Sequence, residues 1–218
     1  MITTERTHGT LLINFDDGDK NILTIDAVTS LYELLIGLER DEGVKSLIIQ
    51  GNDKALSVGL DNKIVLQNSD RADRMRSMMG AILRLLYLGH LRVITIASGH
   101  ATAAGAMLLL TADHRIGVSG PGKIGLSEVR VGLDVPKATQ QLAKDRLIVP
   151  AQYPATALGR LYDYDTAHKV GYLDEVVADR AAALDAAYDL AAELNKISSK
   201  GYRATKRGMR QAFDRLTA

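Results

Sequence analysis

One stretch constrains the fold of this chain more than any other, the run ASGHATAAGAMLLLTADHRI at residues 97–116. Small residues and two glycines, Gly99 and Gly105, lead directly into a block of apolar residues. A strand that ends at Ser98 could turn tightly there and start a helix whose first turn carries almost no side chain. Such a helix start offers free backbone N–H groups to a negatively charged ligand atom. Close packing of a buried helix against a sheet selects the same small residues, so the pattern alone leaves both interpretations open.

The hydrophobic pattern of the first two thirds of the chain predicts alternating strands and helices. Strand patterns cover residues 10–16, 45–51 and 92–98. A helical pattern follows Thr24, a residue suited to cap a helix, and a second covers residues 71–88. This alternation is typical of an α/β layer.

The character of the chain changes after residue 135, because every later segment has a helical pattern. The pattern includes an alanine-rich helix at residues 180–197 and a basic amphipathic end at residues 199–216. We therefore predict a core of residues 1–145 followed by a helical region of residues 146–218.

Composition and charge argue against several classes of protein. The 27 Lys and Arg residues against 26 Asp and Glu leave a formal net charge of +1, so neither a nucleic acid nor a membrane surface is an expected partner. The chain has no cysteine, which excludes thiolate metal sites and suits a reducing compartment. No metal-ligand spacing, dinucleotide-binding motif, signal sequence or long apolar run is present. We expect a cytoplasmic protein without a metal.

Three blocks of sequence, taken together and in order, resemble a known family. KALSVGLDNKI (54–64), the run at 97–116 and GKIGLSEVRVGLDVP (122–136) are similar to the signature blocks of the crotonase, or enoyl-CoA hydratase/isomerase, superfamily. The likeness covers about residues 8–215. It implies an α/β fold of crotonase-like ββα spiral turns and a helical C-terminal region that builds trimers, often paired into hexamers. It also implies an acyl-CoA thioester as substrate, with coenzyme A as part of that substrate and no other cofactor.

The resemblance assigns roles to backbone amides. In the superfamily the N–H of the residue before the glycine of the first block and an N–H at the helix start of the second block form an oxyanion hole. These positions match Val58 and Ala104 here, and the amides would stabilise the enolate that forms when a proton leaves C2. The resemblance places four further residues along the coenzyme A path, Leu56, Gly59, Leu60 and Asp61. Asp61 could equally cap the helix that follows it.

The resemblance also assigns the acid–base chemistry. Superfamily hydratases usually carry two glutamates, and the matching positions here are Met107 and Glu128. The apolar neighbours of Glu128 favour a desolvated carboxylate with a raised pKa, suited to act as a base. Moving a double bond needs one such base, whereas adding water across it needs two groups. The pattern therefore resembles the Δ3,Δ2-enoyl-CoA isomerases, with Met107 as an apolar wall of the substrate site.

Several alternatives remain open from the sequence. The same site could serve hydration, hydrolysis or decarboxylation, or belong to a subunit that only binds acyl-CoA. Asp134 could act as a second acid or base in the same loop. A Ser98–His100–Asp113 triad has no support from a nucleophile-elbow motif, and a structural role for His100 is favoured.

Overall fold

The computed structural model describes residues 1–217, which form an α/β fold around a six-stranded sheet in the order β1-β2-β4-β7-β9-β11. The first two strands pair antiparallel, and all later neighbours in this sheet are parallel. Its strands are β1 (Ile2–Thr7), β2 (Thr10–Phe15), β4 (Ser46–Gln50), β7 (Arg92–Ser98), β9 (His114–Val118) and β11 (Glu175–Val177). The three predicted strands are confirmed within one residue at each end, and Arg92–Ser98 matches its prediction at both ends.

Two small parallel sheets flank the main sheet and carry the segments that the sequence singled out. One has the order β10-β8-β5 and the other pairs β3 with β6. Their strands are β3 (Ile22–Leu23), β5 (Ala55–Ser57), β6 (Gly59–Leu60), β8 (His100–Thr102) and β10 (Ile124–Gly125). The expected direct turn from Ser98 into a helix is therefore wrong, because β8 lies between them. Pairing of β8 with β5 and β10 brings the three sequence blocks side by side.

Ten α-helices surround the sheets over residues 1–217. They are α1 (Ile25–Leu38), α2 (Asn62–Val65), α3 (Asp70–Leu88), α4 (Ala104–Thr111), α5 (Lys137–Arg146), α6 (Val149–Thr156), α7 (Tyr164–Val170), α8 (Arg180–Leu194), α9 (Ser199–Met209) and α10 (Gln211–Thr217). Thr24 caps α1 as predicted, accepting a hydrogen bond from the Ala27 amide. None of these helices combines the length and the apolar character needed to cross a membrane.

The C-terminal region is less uniformly helical than its pattern predicts. Strand β11, which contains the apolar residues Val176 and Val177, pairs in parallel with the free edge of β9 and so extends the main sheet. The predicted helix over residues 199–216 is broken at Arg210, so α9 and α10 are separate helices.

One large apolar core includes residues from both sides of position 145, from Leu11 on β2 to Phe213 on α10. The division of the chain at that position and the assembly into trimers stay predictions. The opposite face of the sheet packs against α8 through Ala183, Ala187 and Ala191. Small side chains at this spacing let α8 approach the sheet closely, which explains its alanine-rich sequence.

A buried charge cluster joins the C-terminal helices to the end of α4. Asp113, just beyond α4, accepts hydrogen bonds from Lys206 Nζ at 3.0 Å, Arg210 Nη2 at 2.6 Å and the Tyr202 hydroxyl at 2.6 Å. Burial acts to raise the pKa of Asp113, but the charges of Lys206 and Arg210 outweigh it and hold that pKa below its usual range. Asp113 is therefore the ion-pair partner of Lys206 and Arg210.

Asp113→Asn should destabilise the fold by about 3 kcal/mol, because it leaves two buried cations without their carboxylate. Urea unfolding at neutral pH measures the change. Asp41→Asn is the matched control, since Asp41 pairs with Arg6 at the surface and its loss should barely move the unfolding midpoint. Equal effects of the two substitutions would contradict a structural role for the cluster.

Candidate active site

A cavity of about 140 Å³ lies where α4, the β5–β6 turn and the third sequence block meet. Its wall is mostly apolar, and one carboxylate of the third block is buried in it. The lining residues are Val58, Leu60, Asn62, Val65, Arg76, Ala103, Ala104, Met107, Ser127, Glu128, Val131, Leu133, Asp134 and Pro136. An apolar cavity with a few convergent polar groups is the usual form of a small-molecule site.

Two glycines allow the chain segments around this cavity to approach each other. A Cβ at Gly105 would lie 2.1 Å from the Ser57 carbonyl oxygen, so only glycine lets the first turn of α4 pass the backbone of β5. Gly59 has φ +111°, and a Cβ there would lie 2.9 Å from the Ala103 Cβ. The close neighbour implied by the small-residue run is therefore the β5–β6 turn.

The start of α4 leaves backbone donors free. Ala103 precedes the helix with φ 49° and offers no capping side chain. The first amides of a helix have no acceptor within it, so the Ala104 N–H is available to a ligand in the cavity that Ala104 lines. The positive end of the helix dipole favours a negative atom at this place.

The other predicted donor, the Val58 amide, is engaged elsewhere. It donates to the Lys20 carbonyl oxygen at 3.2 Å, so the prediction that Val58 N–H faces the cavity is wrong. The Asp61 amide donates to the Leu23 carbonyl oxygen on β3 at 3.1 Å. Because successive amides of an extended strand point to opposite edges, the Leu60 amide points away from β3, toward the free edge of the two-stranded sheet. Leu60 also lines the cavity, which makes its amide the candidate second donor.

Glu128 lies at the start of a 3-10 turn, Glu128–Val131, and is 6% exposed. Neither of its carboxylate oxygens has a well-aligned hydrogen-bond partner among residues 1–217, and the nearby backbone amides of Glu128 and Ser127 lower its pKa by less than burial raises it. Burial raises the pKa of Glu128 to about 7, because the desolvated charged form is disfavoured. A carboxyl group with this pKa can both accept and return a proton near neutral pH.

The structure divides the remaining predicted residues into two groups. Met107 and Asp134 line the cavity with Glu128. Leu56 does not, because its side chain is fully buried in the apolar core, which corrects its prediction as a ligand contact. Asp61 caps α2 by accepting from the Lys63 amide at 2.9 Å, and Gly59 acts through the turn it permits.

The Ser98–His100–Asp113 triad is not assembled. His100 Nδ1 accepts a hydrogen bond from the Lys123 amide at 3.2 Å, and Asp113 is held by the C-terminal charge cluster. His100 therefore has the structural position that the sequence favoured.

Sequence reasoning missed the contribution of the helices after the first block. Val65 on α2 and Arg76 on α3 line the cavity together with residues of the third block. No motif marks them, because they reach the cavity only through the packing of α3 against α2. The helical pattern at 71–88 predicted which face of α3 is apolar. It did not predict that a polar residue beside that face, Arg76, lines the cavity.

Glu128→Gln should stabilise the fold by about 3 kcal/mol at pH 8. With a native pKa of about 7 against the usual 4.5, the native protein keeps a proton that the unfolded chain has lost. Stability of the wild type therefore falls as pH rises through this window and is constant above it, whereas Gln carries no such cost. Urea unfolding at pH 4, 6 and 8 checks this, with Glu33→Gln on the exposed face of α1 as control. A gain that is equal at all three pH values would contradict an unpaired buried carboxylate.

Comparisons with known proteins agree with this geometry. The family model for enoyl-CoA hydratase/isomerase matches residues 5–218. A putative enoyl-CoA hydratase of Thermus thermophilus is 25% identical over 218 residues, covering 94% of this chain and 82% of that protein. Human mitochondrial enoyl-CoA delta isomerase 1 is 27% identical over 208 residues, covering 94% of this chain and 68% of its own length. The crystal structure of human mitochondrial delta3-delta2-enoyl-CoA isomerase has a TM-score of 0.92 at 25% identity, covering 99% of this chain and 85% of that one. The crotonase fold expected from the three blocks is confirmed, and the chain is an enzyme of the enoyl-CoA hydratase/isomerase family.

Proposed function

We propose that this enzyme converts a 3-enoyl-CoA into the trans-2-enoyl-CoA through an enolate. The observation that carries the proposal is the single buried carboxylate, Glu128, in an apolar cavity that also holds the free amide of Ala104. One base and a place for one oxyanion are the minimum that a double-bond shift requires.

The oxyanion would be held by backbone amides. The thioester oxygen of the substrate becomes negatively charged when C2 loses its proton, and the Ala104 N–H at the start of α4 points a dipole at it. The Leu60 N–H supplies the second hydrogen bond in place of the Val58 amide. A donor of this kind contributes about 3–4 kcal/mol to the barrier reduction.

Glu128 would carry the proton. Its carboxylate takes a proton from C2, the C3=C4 double bond moves to C2=C3 as the enolate collapses, and the same proton returns at C4. The C2–H bond breaks, a C4–H bond forms, and no water or other reactant is consumed. A pKa of about 7 leaves both protonation states accessible for the two half-steps.

Met107 favours isomerisation over hydration. It lies in the first turns of α4, 7% exposed, and presents an apolar side chain to the cavity. The superfamily hydratases place a second glutamate at this position, where it shares the work of activating water. Hydration is nevertheless the second candidate, since the Asp134 side chain lines the same cavity and supplies a carboxylate.

Turnover should rise with pH as Glu128 ionises and level off above about pH 7. Glu128→Gln should lower kcat about a thousandfold with little change in KM, because it removes the base and keeps the shape of the site. Formation of 2-enoyl-CoA absorbance from hex-3-enoyl-CoA measures the rate, and loss of that absorbance from trans-hex-2-enoyl-CoA reports hydration.

Three results would count against this proposal. Wild-type hydration faster than isomerisation would favour the second candidate. Tight acyl-CoA binding without either reaction would indicate a binding subunit. Full activity of Glu128→Gln would exclude Glu128 as the base, with Glu33→Gln as the control that keeps wild-type rates.

Met107→Glu should raise the ratio of hydration to isomerisation by about tenfold or more, because it adds the carboxylate that a water-activating pair needs. Met107→Gln is the matched control, since it has a similar size and polarity but no charge. The two absorbance assays, run on both variants at pH 8, measure the ratio. If Gln and Glu change the ratio equally, the missing carboxylate is not what selects the reaction.

A further inference from the structure

Arg76 is the one cationic side chain that lines the cavity among residues 1–217, and the proposed proton transfer does not use it. It lies on α3, in the part of the wall that α3 and α2 build. The other lining side chains nearby in the chain are Leu60, Asn62 and Val65. The Arg76 side chain is 40% exposed and places a positive charge at the cavity wall, where a carboxylate binds more favourably than a hydrocarbon chain.

The guanidinium is held in place but not satisfied. Arg76 Nη1 donates to the Val65 carbonyl oxygen at 2.6 Å, and Nη2 donates to Asp73 Oδ1 at 2.6 Å. A guanidinium has five N–H donors, so three remain for a ligand. The Asp73 side chain is 67% exposed and that of Arg76 is 40% exposed, so this pair is weak and a ligand carboxylate can compete with it.

Arg76 and Glu128 line the cavity from different elements, Arg76 from α3 and Glu128 from the 3-10 turn of the third block. A substrate with its C2 and C4 beside Glu128 would therefore direct a more distant part of its acyl chain to Arg76. Arg is also the side chain best matched to a carboxylate, because its fork donates two parallel hydrogen bonds.

We infer that the preferred substrate is a short acyl-CoA whose chain ends in a carboxylate, bound by Arg76. This rests on the proposed function for the reacting end of the substrate and adds the chemistry of the other end. The small volume of the cavity, about 140 Å³, is suited to a short chain. A phosphate of coenzyme A carries the same anionic chemistry, and the experiment separates the two sources.

The test compares hex-3-enedioyl-CoA with hex-3-enoyl-CoA, which differ only in a terminal carboxylate in place of a methyl group. The wild type should favour the carboxylated substrate by about tenfold in kcat/KM, the size expected of a charged hydrogen bond at a partly exposed site. Arg76→Gln should bring that ratio close to one, and Arg76→Lys should keep part of it. Arg74→Gln removes the same charge from an exposed position on α3 and should leave the ratio unchanged.

Binding of the saturated pair, adipyl-CoA and hexanoyl-CoA, separates this inference from the proposed function. Calorimetry on the wild type and on Arg76→Gln needs no turnover. A preference for adipyl-CoA that Arg76→Gln abolishes supports the inference even if neither unsaturated substrate reacts. Equal wild-type affinities overturn it, and so does an equal loss of both affinities in Arg76→Gln, which would place Arg76 on a phosphate of coenzyme A.

Discussion

The contact between the backbone of β5 at Ser57 and the first turn of α4 at Gly105 is the constraint on which the site depends. With a Cβ at position 105 only 2.1 Å from the Ser57 carbonyl oxygen, any other residue would push α4 away from the turn that follows β5. That turn carries Leu60, and α4 begins at Ala104, so the distance between the two candidate donors is set by this contact. A backbone-to-backbone contact is a rigid support, because it has no side-chain rotamers to relax.

The opposite end of α4 is held by charge rather than by close packing. Arg146 donates to the carbonyl oxygens of Leu110 and Ala112 at 3.2 and 2.6 Å, which satisfies acceptors left free where the helix ends. Asp113, immediately beyond, is tied to α9 and its flanking Arg210 by the buried charge cluster. Because other contacts hold α4 at both ends, its position does not depend on hydrogen bonds from its first amides. Those amides can therefore stay free for a ligand. The C-terminal helices therefore contribute to the site without lining it.

Much of the site followed from the sequence, and the failures have physical causes. The order of the three blocks placed Ala104, Met107 and Glu128 in one cavity, because pairing of β8 with β5 and β10 brings those blocks together. The choice between the Val58 and Leu60 amides could not be predicted, since it depends on the direction each N–H takes on either side of a glycine at φ +111°. Arg76 was not predicted as a site residue, because helical periodicity identifies only the buried face of α3. Arg76 lies at the edge of that face, where the helix borders the cavity.

The unpaired state of Glu128 connects stability to chemistry. A buried carboxyl without a hydrogen-bond partner is unfavourable when charged, and a single donor placed beside it would relieve that cost by favouring the anion and lowering the pKa. Such a donor would weaken the base and slow the removal of the proton from C2. An apolar neighbour such as Met107 does neither, so the carboxyl stays near the pKa at which gaining and losing a proton are almost equally easy. The same absence of partners that destabilises the fold at high pH thus suits one residue to both halves of a proton shuttle.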